Sequence, residues 1–155
     1  SPRVDDRLLT SLQLLVARTS TMASLILNRK YKLATSDKFD EYMKAMGVGL
    51  MTRKMGNTVS PVIELTQSNG EYTLTSNSTF KNTAIKFRLG EEFEEETPDG
   101  RKVQSIITVD GDDTLVHIQK GAKESKIIRK FSKEEVKMTL TVDDVVCTRV
   151  YKAVE

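Results

Sequence analysis

The chain is 155 residues long, with 24 Lys and Arg against 22 Asp and Glu and a net charge of +2. That length fits one domain with a sizeable core, and the near-balance of charge gives no pull toward nucleic acid. A single cysteine, Cys147, rules out an internal disulfide and favours a reducing compartment, and no apolar run approaches the ~20 residues that span a bilayer.

Residues 1–21 stand apart as a leader, expected to be disordered or loosely helical. Leu8, Leu9, Leu12, Leu15 and Val16 are spaced as one face of a helix. Arg3, Arg7 and Arg18 give it a transit-peptide flavour, against which stand Asp5 and Asp6. Met22 is the expected start of the folded domain, residues 22–155.

Tyr31 to Leu33 reads as a first strand. Phe39, Tyr42, Met43 and Met46 then recur at i, i+3, i+4 and i+7, which predicts a helix with one apolar face, capped by Ser36 or Asp37. Gly47 and Gly49 break it, Leu50 to Met55 predicts a second short helix, and Gly56-Asn57 ends it.

From there the period becomes two. Strands are predicted at Pro61–Thr66, Tyr72–Ser76, Thr83–Arg88, Phe93–Thr97, Lys102–Val109, Leu115–Lys120, Ser125–Phe131, Val136–Val142 and Val145–Lys152. Turn residues separate them, among them Ser68-Asn69-Gly70, Pro98-Asp99-Gly100 and Asp143-Asp144. Nine or ten short antiparallel strands must hide their edges. A closed barrel does so without a partner, and a helical pair after the first strand can lie across its mouth.

Alternation puts Cys147, Arg149 and Tyr151 on one strand face, and Ile127, Arg129 and Phe131 on one face of another. Strands two apart lie about 10 Å apart, so two inward arginines could meet at one carboxylate. Spacing alone leaves open whether one or both arginines instead point outward as ordinary solvated strand residues. His117 and Cys147 form no nucleophile–base pair and no metal spacing, so His117 reads as an ordinary strand residue. The acidic run Glu91, Glu92, Glu94, Glu95 and Glu96 lacks the pattern of a calcium loop and reads as a solvated edge, from which one member could turn inward.

Several stretches carry a resemblance. Val146-Cys147-Thr148-Arg149-Val150-Tyr151 resembles the closing strand of the fatty-acid-binding protein family. Phe39-Asp40-Glu41-Tyr42-Met43-Lys44, Ser78-Thr79-Phe80-Lys81-Asn82-Thr83, Leu89-Gly90-Glu91-Glu92-Phe93-Glu94-Glu95 and Asp99-Gly100-Arg101-Lys102-Val103 are similar to other family segments, in order, from about Leu25 to Val154. The wording looks most like the invertebrate muscle-type members.

The resemblance implies a ten-stranded antiparallel up-and-down β-barrel of lipocalin-like, calycin type, with a helix-turn-helix lid. It implies an intracellular, cytoplasmic, monomeric carrier of a long-chain fatty acid, with no cofactor, no metal and no catalysis. Arg129, Arg149 and Tyr151 match the residues that hold the acid head. Phe39, Tyr42, Met43, Thr52 and Phe80 match positions along the tail. A retinoic-acid carrier on the same fold, or a non-carrier interaction module, are the alternatives. Lys44, Arg53 and Lys54 on the lid, with Lys81 near it, could meet anionic membranes. One departure is that the family has a glycine before its first aromatic, where this chain has Asn28 and Arg29, a change expected to disturb the first strand.

Overall fold

The computed structural model describes residues 25–154. The leader expected at residues 1–21 lies outside them. Ten strands form one antiparallel sheet: β1 (Lys30–Asp37), β2 (Val62–Ser68), β3 (Glu71–Asn77), β4 (Asn82–Phe87), β5 (Phe93–Glu96), β6 (Lys102–Asp110), β7 (Thr114–Lys120), β8 (Glu124–Phe131), β9 (Glu135–Val142) and β10 (Val145–Ala153). Two helices, α1 (Phe39–Ala45) and α2 (Leu50–Thr58), sit between β1 and β2.

The strand order is β4-β3-β2-β1-β10-β9-β8-β7-β6-β5, an up-and-down meander joined through β1 and β10. Turn chemistry fixes its register. At the β2–β3 hairpin Asn69 and Gly70 both take positive φ (53° and 79°), the pair of conformations a two-residue type I′ turn requires. Alternation then turns Ile127, Arg129 and Phe131 inward on β8 and Cys147, Arg149 and Tyr151 inward on β10.

The barrel is nearly rather than fully closed. β4 and β5 end the strand order and do not pair, which corrects the expectation of complete closure. β5 has only four residues and spends its backbone on β6. Side chains bridge the seam instead: the Phe87 and Phe93 rings stack with centroids 6.0 Å apart, and Tyr72 stacks on Phe87 at 5.6 Å.

The first strand runs further than predicted. It continues to Asp37, paired with Thr148, through an irregularity between Leu33 and Thr35 that shifts its register on β10. Ser36 and Asp37 are therefore extended and cap nothing. Lys38 takes the cap position in left-handed conformation (φ 63°), with no side-chain cap bond. The second helix runs through Gly56-Asn57 to Thr58 because α1 holds it there. Asp40 accepts hydrogen bonds from Arg53 Nε (3.2 Å) and Asn57 Nδ2 (3.0 Å), and Thr58 Oγ1 donates to the Met55 carbonyl at 2.9 Å.

The missing glycine before the first aromatic leaves β1 undisturbed. Asn28 itself adopts positive φ (60°), which asparagine tolerates, and its N–H donates to the Leu65 carbonyl at 2.9 Å. Tyr31 is fully buried, edge-on to Phe131, and its hydroxyl donates to the Ser132 carbonyl at 2.7 Å.

Candidate functional site

The barrel and lid enclose a cavity of about 230 Å³. One trapped water needs only about 10–15 Å³ by such a measure, so the space is large enough for a ligand. Phe39, Tyr42, Met43, Thr52, Phe80, Arg129, Arg149 and Tyr151, the eight residues singled out in the sequence, all line it.

β9 sets the spacing of the two arginines. Met138 is in register with Arg129 on β8 and with Arg149 on β10, so all three project inward from one row. Both guanidiniums are buried, which settles the orientation that alternation left open. Arg149 Nη1 donates to Ser36 Oγ (3.0 Å) and Nε donates to the Tyr151 hydroxyl (3.4 Å). The Phe39 ring of α1 covers the guanidinium at 3.7 Å, a cation–π contact between the helix and β10. No carboxylate pairs with Arg149 among the described residues.

Arg129 is held differently. Its Nη1 donates to His117 Nδ1 (3.0 Å), and its Nε–H has no partner among the described residues. A guanidinium can only donate, so Nδ1 must accept. His117 is therefore neutral, carries its proton on Nε2, and donates it to Glu95 Oε1 at 2.8 Å. Ser105 Oγ donates to the same oxygen (2.9 Å) and Gln119 Nε2 to Oε2 (3.0 Å). Burial pushes the Glu95 carboxyl up, but hydrogen bonds from His117, Ser105 and Gln119 outweigh it and hold it below its usual range. Burial likewise pushes His117 down, and the Arg129 charge adds to that against the pull of Glu95.

One expectation is thereby corrected. His117 is no ordinary strand residue: it is fully buried and joins Glu95 to Arg129. The acidic run is solvated except for Glu95, the one member that turns inward, with the period of β5. Ser36 was read as a helix cap and its contact with Arg149 was missed, because helix-capping and strand-end patterns coincide there.

On the lid, Tyr42 shares a short hydrogen bond with Ser125 of β8, and burial raises its hydroxyl pKa. Leu50 (56 % exposed), Met51 (75 %) and Met55 face solvent on α2, and Phe80 (43 %) lines the rim. Lys81 Nζ donates to the Pro98 carbonyl at 2.9 Å across the mouth. Arg53 is not free for a partner, since its Nη1 donates to the Val48 carbonyl at 2.8 Å and its Nε to Asp40.

A family model described as Lipocalin / cytosolic fatty-acid binding protein family matches residues 28–154. The chain is 55 % identical over 125 residues to the muscle fatty acid-binding protein of Schistocerca gregaria, covering 80 % of this chain and 93 % of that one. The crystal structure of a fatty acid-binding protein from Drosophila melanogaster brain superposes with a TM-score of 0.78 at 57 % identity, over 82 % of this chain and 98 % of that one. A Schistosoma mansoni fatty acid binding protein, solved in complex with arachidonic acid, superposes with a TM-score of 0.82 at 37 % identity, over 87 % and 99 %.

Proposed function

Because the chain belongs to the lipocalin and cytosolic fatty-acid-binding protein family, we infer that it is an intracellular carrier holding a long-chain fatty acid in its barrel by the carboxylate. The observation that carries this is the inward row Arg129, Met138, Arg149, with Tyr151 beside Arg149 and no carboxylate paired to Arg149 among the described residues. A planar guanidinium grips a carboxylate with two parallel hydrogen bonds, and a buried charge is stable only with such a partner.

The tail would run past Phe39, Tyr42, Met43, Thr52 and Phe80 toward the lid. Each buried methylene contributes about 0.8 kcal/mol, so sixteen carbons contribute about 12 kcal/mol before ordering and desolvation are subtracted. Micromolar to nanomolar affinity is then expected. The protein works as a monomeric carrier, without catalysis or cofactor, in the cytoplasm. Leu50, Met51 and Met55, with Lys44 and Lys54 exposed nearby, form the face that would touch anionic membranes during handover.

The test is displacement of a fluorescent fatty acid from delipidated protein by oleate, oleate methyl ester and retinoic acid. Oleate is expected to compete and its ester to compete much less. Stronger competition by retinoic acid would change the cargo, and no competition at all would leave an interaction module.

A further inference from the structure

Among the described residues the buried charged side chains are Arg129, Arg149 and Glu95, two cations and one anion, with His117 between Glu95 and Arg129. We propose that Glu95, relayed through His117, is the built-in counter-ion of Arg129. The cavity thus keeps a single uncompensated positive charge at Arg149, and the carrier selects lipids with a singly charged acid head over those with a doubly charged one.

Opposite charges interact most strongly where water is excluded, so the count of buried charges sets which head group enters. Glu95 is built to stay ionised: three donors hold its two oxygens, and none of them belongs to a mobile surface side chain. Arg129 is left with its Nε–H unsatisfied. His117 acts through its neighbours, as a positioning residue: it accepts from Arg129 Nη1 and donates to Glu95, tying the two charges together. The Phe93 ring, its centroid 6.4 Å from that of the imidazole, keeps it in a dry environment.

The inference rests on the carboxylate-carrier assignment, and its test separates the two. Palmitate and hexadecyl phosphate share a chain and differ in head charge, the phosphate monoester carrying close to two charges at pH 8. Both are titrated against delipidated wild type, Glu95→Gln, His117→Leu and His117→Gln, with folding checked by circular dichroism. The wild type is expected to prefer palmitate, and Glu95→Gln to shift the ratio toward the phosphate by about tenfold. His117→Leu should shift it the same way, whereas His117→Gln, which offers one donor and one acceptor, should restore the wild-type ratio. A ratio within about twofold of wild type in Glu95→Gln, with palmitate still bound, overturns the relay alone. A wild type that binds neither lipid overturns the carrier assignment and the relay with it. Nitrogen-15 NMR of the wild type gives a check free of variants: a neutral, Nε2-protonated His117 at pH 7 is expected, and an imidazolium overturns the proposal.

Discussion

Arg129 and Arg149 stand on opposite sides of the same residue, Met138, each in register with it across a neighbouring strand. The two guanidiniums share a row and a cavity yet have different company. Arg129 is tied through His117 to a carboxylate; among the described residues Arg149 meets hydroxyls and the rings of Phe39 and Tyr151. That asymmetry makes their substitutions distinguishable.

Arg149→Leu should weaken oleate binding by about 10- to 100-fold, the loss of one charge-assisted pair. The same change removes a buried cation that has no anionic partner among the described residues, so the ligand-free protein should gain about 1 kcal/mol of stability. Displacement titration and the urea midpoint read the two effects separately. A drop in both affinity and stability would contradict the description of Arg149 as an uncompensated charge.

Arg129→Leu should behave oppositely in the fold. It strips the donor from His117 Nδ1 and leaves Glu95 without its cation, so the ligand-free protein should lose about 2 to 4 kcal/mol. Comparing the urea midpoints of the two leucine variants, without ligand, decides this.

Acid should destabilise the protein through His117 before it reaches the carboxylates. The imidazole titrates below its ordinary 6.5 in the fold and near 6.5 when unfolded. As pH falls through 6.5 the unfolded chain therefore takes up the proton first. The stability present above 6.5 is lost progressively toward the lower folded value, at up to about 1.4 kcal/mol per pH unit. Glu95, depressed from 4.5, adds a loss of the same sign at lower pH. Urea midpoints at pH 7.5, 6.5 and 5.5 should fall in the wild type and stay flat in His117→Gln over that range.

Cys147 should be silent in the native protein. It is fully buried, and burial pushes its thiol up to about 11 despite the nearby Arg149 charge. A disulfide-exchange reagent at pH 8 should label it only as fast as the barrel unfolds, so labelling should accelerate with urea. Rapid labelling without denaturant would mean that β10 opens locally.

Ligand handover should depend on the outer face of α2. Leu50→Ser with Met51→Ser removes two exposed apolar side chains that pack against nothing in the core, so stability should change by less than about 0.5 kcal/mol. Transfer of a fluorescent fatty acid to acidic vesicles should slow several-fold. Lys44→Glu with Lys54→Glu should slow it further at low salt. Arg53 is unsuited to such a test because it ties α2 to Asp40 and Val48.

The strands, their alternation and the turns between them were legible in the order of residues, because a half-buried strand writes its two faces as period two and a tight turn demands Asn, Asp or Gly. The resemblance carried by those segments named eight of the residues that line the cavity. It did not reveal what those residues touch. Glu95, His117 and Arg129 lie on three different strands, and each position alone reads as an exposed acid, a plain strand residue or an ambiguous arginine. Only the registers β5 to β6, β6 to β7 and β7 to β8 stack them into one buried chain of hydrogen bonds. The open seam between β4 and β5 and the contact of Ser36 with Arg149 were decided the same way. Local pattern says which way a side chain points, and the curvature and register of the whole barrel say what it meets there.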